Sequence, residues 1–345
     1  MRNFKRNLTF ALLLSLTVII LLFLISFLKE GREIFNVKLN YKYILYAFLL
    51  LISIWIFEVL RLKILLKFFN IKLSSLYLLY TYLLSYFFST ITPMGIGGFI
   101  AKVYLISKKR NFEVGNIISI LTFLYLFNMF IYLIISIVLI FFIKNLTISF
   151  KFGERLILFL IIFIFLLSFV IFLITIKPEV FRQIAHKILN LFKKIVQEKR
   201  EKIEKLIDDN FSRFVDGMRR VKNLNLKIIP IFLLTISSFI FLNSLSYFLI
   251  RSLGVHVNFY NPFLLQFIYH FFAGWSITPG GSGITEAIYS TLFLTQVELP
   301  KILPLVILFK FFTYYIYIII GGVLTFKEIK EFLEIKKIYE EGRSY

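Results

Sequence analysis

The chain has 345 residues, 59% of them hydrophobic and 19% aromatic, with a formal net charge of +21 and no cysteine. An ordinary soluble domain holds about 45–50% apolar residues, so this composition excludes a soluble globular fold. The missing cysteine excludes disulfide frameworks and thiolate metal sites.

The apolar residues lie in long blocks and raise the mean hydropathy to +0.86. A helix needs about 20 apolar residues, at 1.5 Å each, to cross roughly 30 Å of hydrocarbon. Arg2, Lys5 and Arg6 precede the first block, Leu8–Leu28. It is apolar all round, where a barrel strand would alternate. It is too long for a signal-peptide core, so it reads as a retained first helix. Five more blocks read as spanning helices: Tyr43–Leu60, Ile117–Ile143, Leu156–Ile176, Ile228–Ile250 and Ile302–Phe326. Two apolar regions, 76–107 and 263–296, are broken by Pro and Gly. Between Lys177 and Lys227, Ile184, Ile188, Leu191 and Ile195 recur at helical spacing. That pattern predicts an amphipathic connector lying on the membrane surface, with a docking surface for a partner as the alternative.

Lys and Arg counts set the orientation, because basic loops stay inside. The 177–227 segment holds 14 of them and is placed in the cytoplasm. Alternating outward from it places both termini inside, 29–42 and 251–262 outside, and 61–75 and 102–116 inside. The first broken region must then start and finish inside, and the second outside. Both predict re-entrant hairpins, since their segments are short for full crossings. The ten residues from Gly98 to Lys108 span about 15 Å of helix.

The breaks are related. Ile91-Thr92-Pro93-Met94-Gly95-Ile96-Gly97 and Ile277-Thr278-Pro279-Gly280-Gly281-Ser282-Gly283 share the pattern I-T-P-x-G-x-G. Proline ends a helix, and glycine permits positive φ and close backbone approach. A helix that restarts after such a break presents free N–H groups and a positive dipole end, which attract anions. Secondary transporters bind substrate at the midplane between discontinuous helices of inverted repeats. Lys102 follows the first break and adds a full charge, or else snorkels to the interface. Glu286 follows the second break by three residues, where it caps the new helix or serves a cation or proton. Glu58 and Arg61 are spaced to pair at i,i+3. Asn128, Asn243 and His270 are expected to bond between helices.

The second break, Pro279-Gly280-Gly281-Ser282-Gly283-Ile284-Thr285-Glu286, resembles the P-G-G-x-G-x-x-E signature of the lysylphosphatidylglycerol synthetase transmembrane, flippase-like family. The first resembles that family's partner motif, P-x-G-x-G-G-E-x-x-R. It matches at Pro93, Gly95, Gly97 and Gly98, with Lys102 in place of Arg and Phe99 in place of Glu. The resemblance implies a role in moving or handling a lipid with a charged headgroup. It does not imply synthesis of one, because the family's aminoacyl-transferring members carry a separate soluble catalytic domain.

The expected fold is therefore an all-α polytopic membrane protein over residues 1–345. It has about six full transmembrane helices and two re-entrant hairpins in an inverted repeat. The expected function is flippase-like handling of an anionic or zwitterionic lipid in the cell membrane. No enzyme activity, cofactor or nucleic-acid partner is expected. A lipid-linked transferase and a non-transporting scaffold are the alternatives. The substrate-binding residues are expected at Pro93, Gly95, Gly97, Gly98 and Lys102, and at Pro279, Gly280, Gly281, Gly283 and Glu286. In that expectation Lys102 and Glu286 face one cavity, with a direct ion pair between them as a variant.

Overall fold

Helices form every long regular element in the computed structural model, which describes residues 38–110, 112–143, 212–220, 226, 228–274, 276 and 278–325. Among them no strand occurs. In chain order the helices are α1 (Tyr41–Phe68), α2 (Ser75–Thr90), α3 (Ile96–Arg110), α4 (Val114–Ile143), a short helix at 212–220, α5 (Ile228–Ser252), α6 (Tyr260–Ala273), α7 (Ile284–Phe293) and α8 (Leu299–Lys310). The last runs on through a π turn, Phe311–Tyr315, to Thr325.

Four of these helices are long and apolar enough to cross a membrane: α1, α4, α5 and α8 with its continuation. They coincide with four of the six blocks read from hydropathy. The blocks at 8–28 and 156–176, and most of the 177–227 connector, lie outside the described residues. The segments flanking the two breaks are shorter, at 16 and 15 residues for α2 and α3 and 14 and 10 for α6 and α7. α3 begins at Ile96, so it is longer than the ten-residue piece counted from Gly98.

The chain divides into two compact units. One comprises Ile64–Lys72 and Val103–Ile236. Within it, Phe127 of α4 meets Phe232 of α5 edge to face at 6.4 Å. Arg213 pairs with Glu113 there. The other comprises Met1–Lys63, Leu73–Lys102 and Ser237–Tyr345 and holds both motifs.

In this second unit α1 runs antiparallel to α5 and parallel to the α8 continuation. Tyr46 meets Phe248 and Phe57 meets Phe241, while Phe48 meets Phe312 and Trp55 meets Tyr317. Large aromatic rings drive this packing because lipid tails are as apolar as leucine, so van der Waals contact must hold the helices together. The start of α1 and the end of α5 lie at one end. The Asn40 N–H donates to the Ser252 carbonyl at 2.7 Å, and Arg251 donates to the Tyr43 hydroxyl at 2.7 Å. Charge counting assigns both of these segments to the outer face.

The two motif segments are helical hairpins that open towards opposite ends of α1. The first opens at the Lys63 end, where Lys63 Nζ donates to Ser75 Oγ at 2.8 Å. α3 then folds back on α2, with Gly98 against Ser85 and Ser89 and Lys102 beside Tyr82. The second follows α5 and opens at the Tyr43 end. Its two helices pack through Tyr269 and Tyr289, whose rings meet edge to face at 5.4 Å. The tips of the hairpins, turns Pro93–Gly95 and Pro279–Gly281, pack directly on each other.

Polar side chains in these apolar helices bond locally. The hydroxyls of Thr81, Ser85 and Thr235 donate to carbonyls one turn back at 2.8, 2.6 and 2.7 Å, which satisfies them without water. Asn243 and His270, expected to bond between helices, also find partners on their own helices. Asn243 donates to the Phe239 carbonyl at 2.8 Å, and His270 bonds Gln266 at 2.9 Å. The link between helices comes instead from Ser246, which bonds both Gln266 of α6 and Tyr289 of α7.

Candidate functional site

The two Pro-Gly turns have the same backbone. After each proline the next two residues take positive φ: Met94 at 53° and Gly95 at 67°, Gly280 at 60° and Gly281 at 68°. Each turn closes with a backbone bond three residues back, Gly95 to Thr92 at 3.2 Å and Gly281 to Thr278 at 2.9 Å. Proline and threonine set this locally. Pro fixes φ and cannot donate, and the threonine before it is extended, at φ −118° for Thr92 and −71° for Thr278, as a residue before proline must be.

The repeats diverge one residue later. Ile96 is helical and α3 starts at once. Thr92 Oγ1 accepts from the Gly97 N–H at 2.9 Å and caps it. In the second repeat Ser282 leaves the helical region, at φ −53° and ψ 137°, and Gly283 has φ of 85°, so α7 starts only at Ile284. There Glu286 reaches back, and its Oε2 accepts from the Gly283 N–H at 2.8 Å. This is the capping contact its spacing allows. In both repeats a helix-end N–H that could have met an anion is therefore met by a nearby side chain.

The glycines serve close approach. A Cβ on Gly98 would stand 2.6 Å from the Ser85 carbonyl oxygen, and one on Gly97 would stand 2.8 Å from that of Phe88. These two let α3 lie against α2. A Cβ on Gly280 would stand 2.6 Å from the Thr90 carbonyl oxygen and 2.4 Å from the Tyr314 ring. That glycine joins the two turns.

Glu286 does not pair with Lys102. Its Oε1 lies 3.1 Å from Lys310 Nζ, with the two side chains 0% and 3% exposed. Thr285 Oγ1 sits between them, 2.9 Å from Lys310 Nζ and 3.0 Å from Glu286 Oε2. The ammonium also lies 4.8 Å from the centre of the Tyr314 ring, and Ser282 donates to the Tyr314 hydroxyl at 3.3 Å. Behind the pair, Tyr289 stacks on Phe309 at 3.9 Å.

Lys102 belongs to a different cluster. Its ammonium lies over the Tyr82 ring at 5.6 Å and within electrostatic reach of Glu58 and Arg61. Glu58 and Arg61 pair at 2.6 Å, as their spacing predicts, and Ser238 donates to the Glu58 carboxylate at 3.2 Å. Tyr86 stacks on Tyr317 at 4.0 Å, and Trp55 donates to the Tyr317 hydroxyl at 2.9 Å. Phe99, at the family's glutamate position, is 40% exposed.

Sequence reasoning overlooked Lys310. A lysine within the apolar span Leu299–Thr325 was a signal in itself, because intramembrane charges are rare and functional by default. Counting loop charges passed over it because it lies in no loop. The π turn that follows it is a second mark, but periodicity does not reveal such a turn.

A family model described as the lysylphosphatidylglycerol synthase TM region matches residues 8–321, which include both turns and Lys310. Searches of curated proteins and of solved structures return no match.

Proposed function

The chain belongs to the lysylphosphatidylglycerol synthase TM region family, a membrane protein family with a lipid-related role, and on that premise we propose that it is a flippase-like transporter of a lipid with an anionic or zwitterionic headgroup. The observation that carries this reading is the meeting of the two Pro-Gly turns. Hairpins from opposite ends of α1 touch at their tips, with the Glu286–Lys310 pair beside the contact and Lys102 on the first hairpin. Charged groups held among apolar helices are what a polar headgroup needs on its way through hydrocarbon. In this reading Lys102 draws the charged headgroup towards the first hairpin and the second turn, with the Glu286–Lys310 pair beside it, receives it. The protein moves the lipid and makes no bond in it.

The test is reconstitution into vesicles carrying a fluorescent phospholipid, with an impermeant quencher added outside. Protein-containing vesicles should expose the inner-leaflet lipid faster than empty ones, and Lys102→Met should slow this. Equal rates in empty and protein-containing vesicles would overturn the reading.

A further inference from the structure

The Glu286–Lys310 pair has features that stability alone does not explain. Replacing a buried ion pair by apolar residues of similar volume is often neutral or stabilising, whereas removing one partner is strongly destabilising. Lys310 stands in a helix long and apolar enough to cross a membrane, and Glu286 is fully buried against it, where an unpaired charge is expensive. Both also keep other contacts that would outlast the pair. Glu286 would retain the Gly283 N–H and the Thr285 hydroxyl, and Lys310 would retain the Tyr314 ring face.

The surroundings can yield. Lys310 lies between Pro304, which removes one backbone bond from α8, and the π turn at Phe311–Tyr315. A π turn widens the helix and loosens its register. Tyr314, inside that turn, is the residue against Gly280 at the junction of the two Pro-Gly turns. Among the described residues no hydrogen bond crosses between those turns. Parting the hairpin tips would therefore shift Tyr314 and, through it, the Lys310 ammonium.

We propose that the Glu286–Lys310 ion pair is a headgroup site in its closed state, which opens to take a lipid headgroup carrying one primary ammonium and one phosphate, the ammonium on Glu286 and the phosphate on Lys310. This rests on the transport reading above and adds the substrate class. The reason is charge balance. The pair is neutral, and a zwitterionic headgroup replaces one internal ion pair by two intermolecular ones with no net charge left over. A purely anionic headgroup would satisfy Lys310 and strand Glu286. A purely cationic one would do the reverse. Each stranded charge would sit in a low-dielectric site, where it is strongly disfavoured. Lys310 lies in a helix long and apolar enough to cross a membrane and Glu286 is buried against it, so the lipid is the source of the headgroup.

The experiment compares fluorescent phosphoethanolamine and phosphoglycerol lipids in the same vesicle assay. The wild-type protein should move the phosphoethanolamine lipid faster by about tenfold or more. Glu286→Gln leaves a lysine alone and should reverse the preference towards phosphoglycerol. Lys310→Met leaves a glutamate alone and should favour a diacyl lipid with an ammonium and no phosphate. A merely structural pair would instead lower all rates together. The neutral double variant Glu286→Gln/Lys310→Met leaves no buried charge unpaired, so it guards against misfolding of the single variants. It should lose the discrimination. Equal wild-type rates for the two lipids, or unchanged preference in the double variant, would overturn the proposal.

Binding of short-chain forms of both lipids to the detergent-solubilised protein, measured by calorimetry, separates the two readings. If neither lipid moves in vesicles, the transport reading falls, while a tenfold binding preference for the phosphoethanolamine form still supports the site. Equally tight binding of free phosphoethanolamine would overturn the lipid as its source.

Discussion

Gly280 faces the backbone of Thr90 so closely that a Cβ on it would stand 2.6 Å from the carbonyl oxygen. The contact joins the last turn of one hairpin's helix to the tip of the other. Backbone cannot move aside as a side chain can, so the glycine is required there twice over, for this approach and for its φ of 60°. Gly280→Ala should therefore destabilise the protein by roughly 2–4 kcal/mol, combining positive-φ strain with overpacking. Thermal unfolding in detergent measures it, and a wild-type midpoint would show that the tips are not locked together.

Neighbouring glycines on the α8 continuation should behave oppositely. A Cβ on Gly321 would stand 2.3 Å from Phe87 Cβ, whereas one on Gly322 would meet nothing within 4 Å. Gly321→Ala should cost about 1–3 kcal/mol by overpacking. Gly322→Ala should be neutral or stabilising by up to about 1 kcal/mol, since alanine suits a helix better. Unfolding midpoints of the two variants side by side decide this.

Met94 occupies a left-handed position, φ 53°, that the second repeat gives to Gly280. Met94→Gly should relieve strain of about 1 kcal/mol, partly offset by the greater freedom of glycine in the unfolded chain. The expected midpoint is equal to or slightly above wild type. A clear fall would mean that the Met94 side chain, 54% exposed in this structure, makes contacts that matter.

Lys310→Met should destabilise by about 3–5 kcal/mol, because it strands a fully buried carboxylate. Adding Glu286→Gln should recover most of that loss. A double-mutant cycle on unfolding free energies gives the coupling directly, and additive effects would show that the two groups do not sense each other.

Orientation can be read by labelling, since the chain has no cysteine of its own. Lys108→Cys and Asn258→Cys, both at exposed positions, should react with an impermeant thiol reagent from opposite sides of the membrane. Reaction from the same side would contradict the inverted arrangement of the hairpins.

Much of this protein is decided locally and so is written in its sequence. Runs of about 20 apolar residues have no stable choice but helix in lipid, because every backbone group must be satisfied within the segment. Hence α1, α4, α5 and α8 appear where hydropathy places them. The matched I-T-P-x-G-x-G breaks likewise dictate matched turns, because proline and glycine constrain their own backbone torsions. The Glu58–Arg61 pair and the Glu286 cap are contacts at three-residue spacing, fixed by helix geometry. What the tertiary structure alone decided is which charges meet. Lys102 and Glu286 hold comparable places after their motifs, which suggested one shared cavity. Packing instead set Lys102 against Tyr82 and brought Lys310, 24 positions along the chain, to Glu286. Such pairings depend on how α7 and α8 lie together, and that follows from the fit of Tyr289 on Phe309 and of Gly280 under Tyr314. A contact between helices is a property of two surfaces at once, and neither segment's own sequence pattern records it.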